Sequence, residues 1–396
     1  MSQNWLPVST AVLESAFSGV ADIDPARGLE PLRLTRRELR HAPEQLALMA
    51  RFTSGVRVRL VTAADRLRVE AEFTRFVMAH LSEPASRAEL LAEIDGIVVA
   101  RAAADPTGLV FEPDRRDGAF RYGEPVRSTL ELDLGPAAGP REVTLCLPAD
   151  AGVRLLGMWA TDEVRAAPPQ VLPRWVHHGS SISHGGDAAD ACSTWPALAG
   201  RALGVAWTNL GFGGNAMIDP QTARTIAALP ADVVTLKFGI NIVTGDAMRR
   251  RVFVPALHGF LDTVRDAHPG VPIVVLSAIS CPGFEDLPGP RRLGPDGRLT
   301  GTPRPLPEGA GALSLQGTRD AIAEVLAARD DDPLLFGMDG RELFGPDDVE
   351  HLSDGVHPDP EGYATMGQRF AAAASDPGHV LGRAFVIARD RAAQAG

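Results

Sequence analysis

The chain changes rhythm once, at Ala166-Ala167-Pro168-Pro169-Gln170, and that change constrains the fold more than anything else in the sequence. Consecutive prolines cannot continue a hydrogen-bonded ladder and favour extended, exposed backbone. Beyond them, apolar runs of strand length alternate with stretches of helical period. Val171 to Val176 is followed by Thr194 to Ala202, Ala206 to Leu210 by Thr222 to Leu229, and Val233 to Phe238 by Val252 to Ala267. The series continues with Ile273 to Ile279, Leu315 to Ala328, Leu334 to Met338 and Glu361 to Ala374. Strands that read as near-continuous apolar runs are buried on both faces, so the pattern predicts a parallel sheet covered by helices on each side. The helix near Phe253 shows the period well, with Leu257, Phe260, Leu261 and Val264 on the same stripe.

Before the prolines the period is two. Val56, Val58 and Leu60 alternate with Arg57 and Arg59; Leu67, Val69, Ala71 and Phe73 alternate with Arg68, Glu70 and Glu72; Leu130, Leu132 and Leu134 enclose Glu131 and Asp133. Such alternation marks half-buried strands, and many short strands point to a sandwich of jelly-roll type. The short segment Ala63-Ala64-Asp65-Arg66 predicts a hairpin between the first two strands, and Glu83 to Glu93 is the best helical candidate in this half. The resulting division is a β-sandwich over 1–165, a proline-rich linker over 166–170 and an α/β domain over 171–396. A length of 396 residues accommodates two domains at roughly 150 residues each.

A net charge of −11 and the lack of a clustered Lys/Arg run argue against nucleic acid or an acidic membrane surface as a partner. The amino terminus, Met1 to Pro7, lacks the charged flank and apolar run of a secretory signal, and no window approaches the ~20 apolar residues of a membrane span. A cytoplasmic protein is expected. Cys146, Cys192 and Cys281 have no metal-ligand spacing in sequence and cannot all pair, so they read as buried thiols, with no metal and no cofactor expected. Between Cys281 and Ala312 lies a Gly/Pro-rich stretch without period. It leaves the fourth predicted strand at its carboxyl edge, where open α/β sheets place their ligands, and is a candidate cap over a site.

Chemistry-bearing residues cluster at the carboxyl ends of the predicted strands. Gly179-Ser180-Ser181-Ile182 follows the first, and its small residues permit a sharp turn that presents a hydroxyl. A serine hydroxyl needs a base within hydrogen-bond reach and donors for the oxyanion formed on attack at an acyl carbon. Downstream, Asp354-Gly355-Val356-His357-Pro358 offers an acid and an imidazole three residues apart. Asp347, Asp348 and Glu350 compete with Asp354 for the acid role, and spacing favours Asp354. Asp359-Pro360 reads as an N-cap followed by proline at the first helical position, ending the histidine-bearing loop.

Four blocks in this order resemble the SGNH or GDSL hydrolase family. Gly179-Ser180-Ser181-Ile182 matches the family's Gly-Asp-Ser-Ile/Leu; Asn209-Leu210-Gly211-Phe212-Gly213-Gly214 matches Asn-x-Gly-x-x-Gly; Gly239-Ile240-Asn241 matches Gly-x-Asn; Asp354 to Pro358 matches Asp-x-x-His-Pro. The resemblance implies a flavodoxin-like three-layer α/β/α domain and a triad of Ser181, His357 and Asp354. It also implies an oxyanion hole from the N–H groups of Ser181 and Gly214 and the side-chain amide of Asn241. Two positions depart from the family: Ser180 stands where it has aspartate, and Ile242 follows Asn241 where it has aspartate.

Most of both halves is similar to bacterial two-domain GDSL proteins with an amino-terminal jelly-roll-like sandwich, a group that includes acyltransferases of polyketide natural products. The stretches that carry this similarity are Gly28 to Leu34, Ser54 to Val58, Asn209 to Gly214 leading to Asp219-Pro220, Lys237 to Asn241, and Gly355 to Pro358 leading to Gly362-Tyr363.

Two enzymatic readings are open. The first is an esterase acting on a small carboxylic ester through an acyl-enzyme on Ser181; the second is an acyltransferase moving an acyl group from a thioester donor to a natural-product hydroxyl. A third reading makes the sandwich a carbohydrate-binding module on an inactive scaffold. The oligomeric state stays open. Around the site, His177, His178 and His184 flank Ser181, but adjacent strand residues face opposite ways, which argues against shared metal ligation. Lys237, the chain's only lysine, falls in a buried strand and is expected to snorkel or pair with a carboxylate. Arg291 and Arg292 read as a solvated pair in the long loop, and Trp159, Trp175 and Trp195 as core or interface residues.

Overall fold

The structure is a computed structural model that describes residues 4–77, 88–105, 107–111, 119–305 and 308–395. The chain forms two compact units: Met1–Arg37, Ala47–Gln170 and Asp190–Cys192 in one, Glu38–Leu46, Val171–Ala189 and Ser193–Gly396 in the other. A single cut at 166–170 was expected, whereas Glu38–Leu46 and Asp190–Cys192 each lie with the unit of the opposite half.

In the first unit, alternation along the strands builds two six-stranded sheets. One contains Arg66–Val77 at its centre, paired with Ala151–Ala160 on one side and with Val126–Asp133 and Gly108–Phe111 on the other. The other contains Arg57–Thr62, Arg141–Cys146, Glu89–Ile94 and Ile97–Ala103. Val58 and Leu60 from the second sheet meet Leu67, Val69, Ala71 and Phe73 from the first in one core, all fully buried. Each buried aliphatic side chain of this kind contributes about 1.5–3 kcal/mol.

Two expectations for this half fail. Arg57–Thr62 and Arg66–Val77 are not a hairpin: they lie in different sheets, and residues 63–65 carry the chain from one to the other. The corner is held from outside its own sequence, by Thr161 Oγ1, which accepts from the N–H groups of Asp65 and Arg66 at 3.1 and 3.2 Å. The predicted helix at Glu83 to Glu93 is in part outside the described residues, and Glu89–Ile94 is a strand. Leu90-Leu91-Ala92 misled because the strand is buried on both faces. The informative signal was Asp95-Gly96, both at positive φ, which close a two-residue hairpin from Ile94 to Ile97.

The second unit follows the sequence pattern closely. Its strands are β1 (Arg174–Gly179), β2 (Ala206–Gly211), β3 (Val233–Lys237), β4 (Ile273–Leu276) and β5 (Leu335–Met338), parallel and ordered 2-1-3-4-5. This is the flavodoxin-like order, in which crossover helices cover both faces of the sheet and ligands bind outside the carboxyl ends of the strands. Helices α1 (Ser181–His184), α2 (Trp195–Leu203), α3 (Pro220–Ala228), α4 (Ile240–Thr244), α5 (Arg250–Ala267), α6 (Leu315–Ala327), α7 (Pro360–Ser375) and α8 (Val380–Ala395) complete it. On one face α2, α7 and α8 pack together, and Trp175 stacks on Phe370 with ring centroids 4.8 Å apart beside Trp195 and Phe385. On the other, α3, α5 and α6 adjoin, and Phe260 and Phe238 pack against His178. Among the described residues no helix is long and apolar enough to cross a membrane.

Candidate active site

Strand β1 ends at Gly179 and the chain turns into α1 with no intervening loop. Ser180 caps that short helix, its hydroxyl accepting from the Ile182 N–H at 3.3 Å, and Gly185 closes it in the left-handed region with its N–H on the Ser181 carbonyl. Ser180 stands where the family pattern has aspartate; both residue types cap helices well, so the departure preserves the local geometry. Two glycines make room for the turn. A Cβ on Gly179 would lie 2.3 Å from Ser183 Oγ, and one on Gly211 of β2 would lie 2.4 Å from the His184 backbone nitrogen. The helix bearing Ser181 therefore sits directly on the end of β2.

Ser181 Oγ and His357 Nε2 are 2.8 Å apart, and His357 Nδ1 lies 2.8 Å from Asp354 Oδ2. Ionised Asp354 can only accept, so Nδ1 carries the proton and Nε2 is the acceptor for the serine hydroxyl. The other carboxylate oxygen, Oδ1, accepts the backbone N–H groups of Val356 and His357 at 2.9 and 2.8 Å, which fixes the plane of the acid. Burial works to raise Asp354, but the hydrogen bond and charge of His357 and the two N–H groups outweigh it and hold the carboxyl well below the usual range. For His357, burial works to lower the imidazole, yet the bond and charge of Asp354, helped by Asp187, raise it above its ordinary value against the opposing effect of Arg291. The two shifts agree in sense: each partner favours the charged form of the other.

The oxyanion candidates lie around the same strand ends. Gly214 has φ +71°, a conformation suited to glycine, in the turn after β2. Asn241 is the second residue of α4, after β3, and its Oδ1 accepts from Ala216 N–H at 2.9 Å, which ties it to the turn carrying Gly214. With the amide oxygen so engaged, Nδ2 is the donor that remains. Gln45, from the stretch Glu38–Leu46, reaches this turn: its Nε2 would lie 2.9 Å from a Cβ on Gly214. No local sequence signal announces that contact.

The neighbouring histidines divide as the strand period requires. His177 is buried between Thr235 Oγ1 and Ser183 Oγ at 2.7 and 2.8 Å, and burial pushes its imidazole well below the ordinary value, so it stays neutral. His178 faces the other side and donates from Nδ1 to the Leu210 carbonyl, while His184 bonds the Gly211 carbonyl. His178 and His184 thus hold backbone carbonyls of β2, and His177 holds the Ser183 hydroxyl two residues after Ser181. Lys237, at the end of β3, is buried with no carboxylate partner among the described residues: its ionisable neighbours are Cys281 and His177, and burial lowers it to about 8.

The stretch after β4 is organised. A short 3-10 turn at Pro282–Phe284 and a two-stranded ribbon, Arg292–Leu293 with Leu299–Thr300, border the site's loops. Leu299 N–H donates to the Asp354 carbonyl at 2.7 Å and Arg291 N–H to the Thr244 carbonyl at 2.9 Å. Of the competing acids, Asp348 is engaged by Arg369 and the Gly345 N–H, away from His357. Asp359 caps α7 as its sequence suggested, accepting from Gly362 N–H.

Residues 178–365 match the model of the GDSL-like Lipase/Acylhydrolase family. No curated protein matches the sequence. Among solved structures, the salicylyl-acyltransferase SsfX3 from a tetracycline biosynthetic pathway is 24% identical with a TM-score of 0.72, over 89% of this chain and 92% of that one. A provisionally assigned GDSL-like lipase from Bacteroides ovatus is 18% identical, TM-score 0.65, over 94% and 97% of the two chains. A family two carbohydrate esterase from Clostridium thermocellum, solved with cellohexaose, is 16% identical, TM-score 0.54, over 81% and 92%. At these identities the likeness concerns the fold, and it extends over both units.

Proposed function

We propose that this chain, whose residues 178–365 match the model of the GDSL-like lipase/acylhydrolase family, is a serine esterase that cleaves a small carboxylic ester through an acyl-enzyme on Ser181. The observation that carries the reading is the continuous pair of 2.8 Å contacts from Ser181 Oγ through the His357 ring to Asp354.

In the proposed sequence, His357 Nε2 takes the Ser181 proton as Oγ attacks the acyl carbon. The carbonyl oxygen becomes an oxyanion received by the N–H groups of Ser181 and Gly214 and by Asn241 Nδ2. Donors fixed in advance stabilise such charge without reorganising, each contributing about 3 kcal/mol. The imidazolium formed is stabilised by Asp354, then protonates the departing alcohol oxygen as the C–O bond breaks. Water enters, gives its proton to His357, and attacks the acyl carbon; collapse returns the proton to Ser181 and frees the acid.

The second reading replaces water by a bound hydroxyl and the ester by a thioester. Support for it comes from SsfX3, an acyltransferase whose fold this chain shares over 89% of its length. Both readings use one acyl-enzyme and differ in what attacks it. A non-catalytic carbohydrate-binding role is disfavoured by the intact Ser181, His357 and Asp354 contacts.

Ser181→Ala tests the common part. The variant should keep the wild-type melting temperature and lose covalent labelling by a serine-directed phosphonate, and labelling at the wild-type level would remove Ser181 from the proposal. Product analysis of the wild type then separates the readings. Incubation with p-nitrophenyl acetate, and with acyl-CoA plus hydroxylated polyketide-like acceptors, reports hydrolysis if free acid dominates and transfer if the new ester does.

A further inference from the structure

Three side chains far apart in sequence meet on the outer face of one sheet of the first unit. Cys146 ends Arg141–Cys146 and pairs in register with Leu91, while Glu93 lies two residues along the neighbouring strand, on the same face. Their inward neighbours Leu90, Ala92 and Leu145 belong to the sandwich core. Asp190–Cys192 comes in from the other half of the chain and covers that face, so that Glu93, Cys146 and Cys192 are 7, 5 and 5% exposed. The ligand atoms all lie within 4.8 Å of one another, and Cys146 Sγ is 3.3 Å from Glu93 Oε2. Among the described residues this is the one cluster of its kind.

We propose that Glu93, Cys146 and Cys192 bind a zinc ion. The inference is independent of the acyl chemistry. Tetrahedral zinc with Zn–S near 2.3 Å and Zn–O near 2.0–2.2 Å requires ligand atoms about 3.5–3.8 Å apart. The Cys146–Glu93 pair is already that close, and Cys192 has about 1 Å or less to move. Two thiolates and a carboxylate carry three negative charges. A divalent ion balances two, and Arg57, in register with Cys146 and 8% exposed, supplies the third positive charge. Thiolate donors select zinc or cadmium over the hard cations magnesium and calcium.

Presentation of Cys192 is also prepared. Asp190 Oδ1 accepts the Cys192 N–H at 3.0 Å and Oδ2 pairs with Arg101 at 2.8 Å, so this acid holds the turn and does not serve as fourth ligand. The fourth position is taken by water or a small anion. The ion's role is structural: it fixes residues 190–192, which follow α1 and Asp187 in the sequence, to the strands beneath. Cys281, buried elsewhere against the Val356 carbonyl, is not part of the site.

Full-length protein, reduced and stripped with a chelator, is titrated with cadmium while the ultraviolet thiolate-to-cadmium band is followed. One equivalent should saturate the band, zinc should compete for it, Cys281→Ser should retain it, and Glu93→Gln should weaken binding at least tenfold. Cys146→Ser and Cys192→Ser should each abolish it. Because a cysteine variant can fail to fold, the wild type supplies a second readout: zinc should raise its melting temperature and chelation should reverse the rise. Absence of the band and of the thermal shift in the wild type overturns the proposal. So does persistence of the band in folded Cys146→Ser/Cys192→Ser, or a native mass two hydrogens light with Cys146 and Cys192 joined as a disulfide.

Discussion

Replacing Asp354 by asparagine removes one charge and almost no volume, and the hydrogen bonds around it dictate how the site responds. Oδ1 faces two backbone N–H donors, at 2.9 and 2.8 Å, and Oδ2 faces His357 Nδ1 at 2.8 Å. An asparagine has one acceptor end. Turning its NH2 toward the two N–H groups would forfeit two bonds now made to a charged acceptor, about 1.5–3 kcal/mol each, so the amide oxygen takes the Oδ1 position. Its NH2 then points at Nδ1, which must become an acceptor. The ring proton moves to Nε2, the atom 2.8 Å from Ser181 Oγ, and the proposed base meets the hydroxyl with an N–H. A wrong tautomer and an uncompensated imidazolium together cost about 10⁴ in kcat, which corresponds to about 5.5 kcal/mol at 1.36 kcal/mol per tenfold. Stopped-flow release of p-nitrophenolate should show this loss with KM changed by much less, and thermal unfolding should show a folded protein. Asp348→Asn, which disturbs only the Arg369 and Gly345 contacts, should keep activity within about twofold. If Asp354→Asn retains more than a tenth of wild-type kcat, the tautomer argument is wrong and with it the role proposed for Asp354.

Asn241→Ala should lower kcat by about a hundredfold, for the ~3 kcal/mol of a lost oxyanion donor, while KM for the ester stays near the wild-type value; an unchanged kcat would exclude its amide from the hole. His357 must be neutral to act as a base, and its raised value moves the acid limb of kcat/KM to higher pH than an ordinary histidine would give; Asp187 contributes to that rise, so Asp187→Asn should move the limb to lower pH, and a shift to higher pH refutes the assignment. Lys237 is lowered from 10.5 to about 8 by burial, so between those values the unfolded chain holds a proton the folded one has released, and stability rises with pH. Lys237→Met should abolish that slope and stabilise the protein at pH 7 by up to about 3 kcal/mol in urea unfolding, whereas a destabilised variant would show that the ammonium is well solvated in the fold.

What could be read in the sequence was what is local or what repeats. The five strands of the second unit and the five helices that follow them in alternation stand within a few residues of where the sequence pattern puts them, because a strand buried on both faces and a helix with one apolar stripe leave opposite signatures. Helix α8 is not legible in the same way: it follows α7 directly, with no strand between them to mark it by alternation. In the first unit, alternation identified which residues face the core but not which strands pair. Arg57–Thr62 and Arg66–Val77 both alternate, and the side-chain contact that sends them to different sheets comes from Thr161, about a hundred positions away. Spacing in sequence says nothing about Cys146 and Cys192, which meet only because Asp190–Cys192 joins the unit built from the first half. Gln45 beside Gly214 was hidden for the same reason.

Strand order explains why the candidate site has its parts where it does. With β1 between β2 and β3, the residue after β1 is flanked by the turn after β2 on one side and the start of α4 on the other. Ser181 therefore lies between Gly214 and Asn241 by topology, and the Asn241 to Ala216 bond joins the two flanks across it. His357 has no such advantage. It comes after β5, at the far edge of the sheet, with β4 and β3 between it and β1. Its loop must run back across two strand ends, and it is tied within itself by the Ser353 N–H on the His357 carbonyl at 3.0 Å and the Leu352–Pro358 bridge. Further supports come from the stretch after β4: Leu299 N–H on the Asp354 carbonyl and the Cys281 thiol on the Val356 carbonyl. The Gly/Pro-rich segment that carries no period in the sequence thus braces the acid and the base, which the sheet by itself leaves distant from the serine.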